Sequence, residues 1–188
     1  MFFVRSLLAF VAVSVASTLF ASATPVVEKT QDLDDVLTVV AKLKVATDLL
    51  LPEIDTLVNR RVATEANISP LLAKLAFALD ASTDKLELLS LEDDAEVGGT
   101  DEQVAREVAT VYGNIVTSLD NLKTNAPEVY SATVPMFGLD KLLLKLLLTL
   151  KTIVADALKL IGELLKKTIG GLLGPLGLIL TRLLLGIL

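Results

Sequence analysis

The sequence predicts an all-α fold: a helical bundle of about four main helices with a long, highly apolar C-terminal helix. Two observations carry that prediction. Between positions 139 and 167 the polar residues Lys141, Lys145, Thr149, Thr152, Asp156, Lys159, Glu163, Lys166 and Lys167 recur at steps of three and four, the helical period. The chain is also 53% hydrophobic with only 4% aromatic residues, and is rich in Leu, Ala and Lys, so an aliphatic helical core is favoured and nothing argues for a sheet. At about 100° of rotation per residue the polar stripe covers roughly a quarter to a third of the helix circumference. Leu143, Leu147, Leu150, Val154, Leu158 and Leu165 lie on the wide apolar remainder. That face must be wrapped by the rest of the chain, laid on a hydrophobic surface, or buried among copies. It is the candidate surface-binding face, and Lys141, Lys145, Lys159 and Lys166 form the stripe that stays wet.

Taken in order, residues 1–23 read as a secretory signal. Arg5 is their one charge, an apolar run spans 7–20, and Ala21-Ser22-Ala23 supplies the small residues for cleavage before Thr24. Region 24–138 is expected to be acidic and amphipathic, and region 139–188 hydrophobic and basic, the two packing as one domain. The first holds 20 acids and 9 bases, net −11, and the second 7 bases and 3 acids, net +4. This asymmetry favours docking of the tail on the front half of its own chain or of a neighbour.

A first helix is expected over about 30–64, carrying Leu33, Val36, Val40, Leu43, Leu50, Ile54 and Val58, with a kink or break at Pro52. Ser69-Pro70 reads as an N-cap followed by proline at the first helical position, so a second helix starts there. It ends before the acidic loop 92–96 and Gly98-Gly99. Thr100-Asp101-Glu102-Gln103 is a capping box, opening a third helix whose face is Val104, Val108, Val111, Ile115, Leu119 and Leu122. Pro127 stops it, 128–138 is a connector, and the long helix follows over 139–167. Gly170-Gly171, Gly174-Pro175 and Gly177 break that helix before a last apolar piece over 178–188.

Several function classes lose support at once. Cysteine and histidine are absent, which removes thiol nucleophiles, zinc-thiolate sites, the usual general base and the commonest metal ligand. No G-x-S-x-G motif occurs, and the acidic cluster of Glu92, Asp93, Asp94, Glu96, Asp101 and Glu102 lacks the spaced ligand ladder of a calcium loop. No catalytic, cofactor-binding or metal-binding residue is assigned, and no cofactor is expected. The net charge of −6 disfavours nucleic acid. Asn67-Ile68-Ser69 is an N-glycosylation sequon, with Pro70 directly after it lowering its occupancy. Residues 169–188 have the length of a membrane span, but Arg182 near the middle would cost about 2.5 to 3.5 kcal/mol to insert.

Three stretches resemble a known family: Leu50-Leu51-Pro52-Glu53-Ile54-Asp55-Thr56-Leu57, Ala63-Thr64-Glu65-Ala66-Asn67-Ile68-Ser69-Pro70-Leu71-Leu72, and Thr100-Asp101-Glu102-Gln103-Val104-Ala105. With the Leu-rich, Gly-interrupted tail, they are similar to the cysteine-free secreted mycelial structural proteins of mushroom-forming fungi, described beside the hydrophobins. The resemblance implies a non-catalytic protein of the hyphal wall and extracellular matrix that supports aerial hyphae and attachment to hydrophobic surfaces. The tail departs from that family in its lysines, Lys141, Lys145, Lys151, Lys159, Lys166 and Lys167. A looser resemblance is to fungal hydrophobic-surface-binding proteins. The expected partners are hydrophobic surfaces or wall matrix, with self-association and lipid as further ones. The alternative functions are an extracellular lipid-binding helical bundle, with the long helix lining a cavity, or a membrane-active one.

Overall fold

Every described element of the chain is helical. The computed structural model describes residues 35–91, 97–154 and 156–187, which belong to one compact unit. The expected signal (1–23), the start of the first helix (30–34) and the acidic loop (92–96) lie outside the described residues.

Helix α1, Val36–Asn59, opens on Asp35, whose side chain accepts from the Thr38 amide at 2.6 Å. It runs uninterrupted through Pro52, where the sequence predicts a kink or break. Pro52 itself faces out, while Leu51 and Ile54 are buried on either side of it. Burial of those two side chains offsets the roughly 3 kcal/mol that an interior proline costs.

Helix α2, Glu65–Leu89, starts five residues before Pro70, the expected first position. The operative cap is Thr64 with Asn67, whose Oδ1 accepts from the Thr64 amide at 2.8 Å. Pro70 therefore sits inside the helix and not at its first position. Helix α3, Asp101–Asn125, begins at the capping box read from the sequence. The Thr100 amide donates to Gln103 Oε1 at 3.0 Å, and the Gln103 amide to Thr100 Oγ1 at 3.2 Å. The expected connector is instead a short helix α4, Pro127–Thr133, followed by a 3-10 turn, Val134–Phe137. Pro127 at the first position and Glu128 in the first turn are the start signals that identify α4.

The single long tail helix is corrected to two. Helix α5, Leu139–Ile153, and helix α6, Ala157–Thr168, are separated at Val154, whose backbone is extended at φ −121° and ψ 98°. The cause lies in Thr149, Thr152, Ile153 and Val154. β-branched residues lose rotamer freedom in a helix, and the hydroxyls of Thr149 and Thr152 bond back to Lys145 O at 3.0 Å and Thr149 O at 2.7 Å. Short helices α7, Gly170–Leu173, and α8, Ile179–Leu184, complete the tail, with a turn at Gly177 between them.

The break decides the packing. Helix α1 packs against both α2 and α3, α5 lies on α2, and α6 lies on α3. A rigid rod over 139–167 would have to follow one neighbour. Bent at Val154, the tail instead closes the side of the core that α1 leaves open. One contiguous core results, built from Val36, Ile54, Leu72, Leu79, Ile115, Leu122, Leu143, Leu147 and many others. Helix α8 then lies on α5.

Candidate functional site

The apolar face expected to meet a surface points inward. Leu143, Leu147 and Leu150 have no exposed area, Leu165 and Val154 are buried, and Leu158 is half-buried against the core. Of the stripe, Lys141, Lys159 and Lys166 are exposed. Lys145 is half-buried and bridges to α2, at 3.1 Å from Glu87 and 3.4 Å from Asp84. The hydrogen bond to Glu87, ahead of a smaller one to Asp84, raises the Lys145 ammonium above its ordinary pKa.

Three side chains of α3 and α4 fasten the tail to the front half, and none of them belongs to the apolar face. Tyr112, fully buried on α3, donates to the Leu143 carbonyl. Burial pushes its phenol well above the ordinary value, and the Asp140 charge adds to the effect. Tyr130 of α4 donates to the Leu176 carbonyl at 2.7 Å, and Lys123 of α3 donates to the Pro175 carbonyl. Both tyrosines of the chain therefore hold tail carbonyls. Tyr112 is readable in retrospect: it lies four residues after Val108 and three before Ile115, which puts it on the buried face of α3.

Asp140 makes the most concentrated contact. One carboxylate oxygen accepts from the Leu180 amide at 3.0 Å. The other accepts from the Thr181 amide at 3.0 Å and from the Thr181 hydroxyl at 2.8 Å. These amides lie in the first turn of α8, where no intrahelical acceptor exists, so a residue from α5 caps a helix forty positions later in the chain. Short-range motifs cannot reveal such a cap. Gly162 allows a further close approach, since a Cβ there would lie 2.7 Å from the Leu185 carbonyl.

One side of α8 stays outward. Ile179, Leu180 and Leu183 are 57%, 41% and 60% exposed, while Leu178, Leu185 and Ile187 beside them face the core. Thr181 is buried on Asp140, and the Arg182 Nε donates to the Ile187 carbonyl at 2.7 Å. A surface helix is normally polar on its outer face, whereas that of α8 is apolar. Leu148, on the helix that α8 covers, is also exposed.

Asn67 is committed within α2. Its Nδ2 donates to the Val62 carbonyl at 2.8 Å while its Oδ1 caps Thr64, so a glycan on that nitrogen would compete with the helix start. Among the described residues no three acidic side chains converge to hold a metal ion, and no helix is long and apolar enough to cross a membrane. No buried side-chain nitrogen or oxygen among them lacks a hydrogen-bond partner. Compared with known protein families and with curated proteins, the sequence matches none of either.

Proposed function

We propose that this is a secreted, non-enzymatic, surface-active structural protein of the fungal cell wall and extracellular matrix, coating or attaching hyphae at hydrophobic interfaces and supporting aerial hyphae. The observation that carries the reading is α8, whose outward face is made of Ile179, Leu180 and Leu183. The resemblance of the front half to secreted mycelial structural proteins supplies the biological setting.

Magnitudes decide how such a protein would hold a surface. Burying the exposed part of Ile179, Leu180 and Leu183 yields about 1 kcal/mol each, or about 3 kcal/mol together. That suffices for encounter and not for a durable coat. Release of α8 from Asp140 would add Leu178, Leu185 and Ile187 to the contacting area. Adsorption then proceeds in two stages, contact through the outer face of α8 followed by unfastening of the tail, with the acidic front half left in water. Neighbouring copies on the surface are natural partners for the core thus uncovered.

Surface tension at an air–water interface tests this. Wild type should lower it, and Ile179→Glu with Leu183→Glu should weaken partition to the interface by about thirtyfold while circular dichroism stays unchanged. A wild-type protein that leaves surface tension unaltered would refute the proposal.

A further inference from the structure

A cleft outside the tail fastening lies between α3 and α6, in two abutting sections that share Arg106 and Leu164. Its α3 wall runs from Glu102 to Thr117, about 22 Å along the helix, as its α6 wall runs from Leu160 to Ile169. The larger section, about 540 Å³, is floored by Ala109, Gly113, Leu165 and Ile169, and that volume falls in the usual range for a ligand site. The smaller, about 220 Å³, carries two cations, Arg106 and Lys167, and two acids, Glu102 and Glu163.

Gly113 points to what the larger section holds. It sits at the middle of α3, where glycine is destabilising relative to alanine. A Cβ built there would meet no atom within 4 Å, so no neighbour in the fold requires a glycine. Glycine there leaves the helix backbone open to close approach by something outside the chain. The smaller section supplies the charge pattern. Arg106 pairs with Glu102 at 3.2 Å, while Glu163 and Lys167, one turn apart on α6, have no ion-pair partner among the described residues. Opposite charges of equal number, two of them uncommitted, match a head group that itself carries both signs.

We propose that the α3–α6 cleft binds a single-chain zwitterionic amphiphile, its acyl chain lying over Gly113 and its head group between Lys167 and Glu163. The phosphate of such a head group faces Lys167 and Arg106, its quaternary ammonium faces Glu163, and the chain displaces water from Leu165 and Ile169. This site is read apart from the interfacial role of α8, since its lining comes from α3, α6 and the residues just after α6 and its ligand is titrated with no surface present.

Calorimetric titration of the purified protein with lauroyl lysophosphatidylcholine, below its micelle concentration and with no surface present, tests the site. Saturable binding of one molecule per chain is expected. Gly113→Ala should raise the unfolding midpoint of the free protein by about 2 °C while weakening binding several-fold, an opposition of sign that a purely structural glycine would not give. Gly113→Leu should abolish binding and leave the lowering of surface tension intact. Exchanging the two charges in Glu163→Lys with Lys167→Glu should weaken binding at least tenfold. Absence of saturable binding by folded wild type, or binding by Gly113→Leu equal to wild type, would overturn the site. Equal affinity for laurate and monolaurin would overturn the head-group assignment. Loss of surface activity with binding retained would count against the role of α8 alone.

Discussion

Replacing Asp140 by alanine removes the carboxylate that accepts from the Leu180 amide, the Thr181 amide and the Thr181 hydroxyl, all at 2.8 to 3.0 Å. Hydrogen bonds to a charged acceptor are worth about 1.5 to 3 kcal/mol when buried, and loss of a helix N-cap costs about 1 kcal/mol. Asp140 is only half-buried, so water replaces part of what is lost, and about 2 kcal/mol is the expected weakening of α8 docking. That corresponds to about a thirtyfold rise in the population with α8 detached. Hydrogen exchange of the amides from 179 to 187 reads this population directly, because local opening exposes them without global unfolding. Thr181→Val keeps the buried volume and removes one bond, so a rise of about fivefold is expected there. The detached form should also adsorb to a hydrophobic bead faster than wild type. Unchanged protection of 179–187 in Asp140→Ala would refute the claim that this carboxylate holds the tail end down.

Other consequences follow from the same contacts. Tyr112→Phe should cost about 1 kcal/mol through loss of the bond to the Leu143 carbonyl, measured by urea unfolding. Because burial raises the Tyr112 pKa in the folded state, its contribution to stability is complete below the unfolded value of about 10 and is lost as pH rises beyond it. Wild type should therefore lose stability above about pH 10 more steeply than Tyr112→Phe does. Leu147→Ala, at a site with no exposed area, should cost about 2 to 5 kcal/mol. Leu143→Glu should unfold the protein and thus reports on the core, so adsorption is better probed through exposed Ile179 and Leu183. Asn67→Ala should destabilise the start of α2 by about 1 kcal/mol, seen as faster exchange of the amides from 65 to 69.

The all-helical class was legible because aliphatic spacing at three and four residues recurs through the chain, and the start of α3 was legible because Thr100 and Gln103 lie within one turn. The start of α2 was misread because Ser69-Pro70 is a stronger local signal than Thr64 with Asn67. Only the fold shows that Pro70 is tolerated inside the helix. The break at Val154 was written in Thr152-Ile153-Val154, but the regular polar stripe from Lys141 to Lys167 runs through it without a phase change and masks it. The apolar width of the tail predicted that it must be covered, and left open what covers it. The pairing of Asp140 with α8 and of two tyrosines with tail carbonyls links residues thirty to fifty positions apart, beyond any local pattern. The outward face of α8 was hidden for a related reason: an apolar segment reads the same whether one face or both find partners.

The tail is wrapped by its own front half, and the outer face of α8 is left for a surface. Hydrogen exchange across positions 142 to 165 of the dissolved protein tests that most directly. Slow exchange there, close to the limit set by global unfolding, is the result the packing of α5 on α2 and α6 on α3 predicts. Exchange at the rate of an unstructured peptide, in a protein whose α1 and α3 amides stay protected, would contradict it.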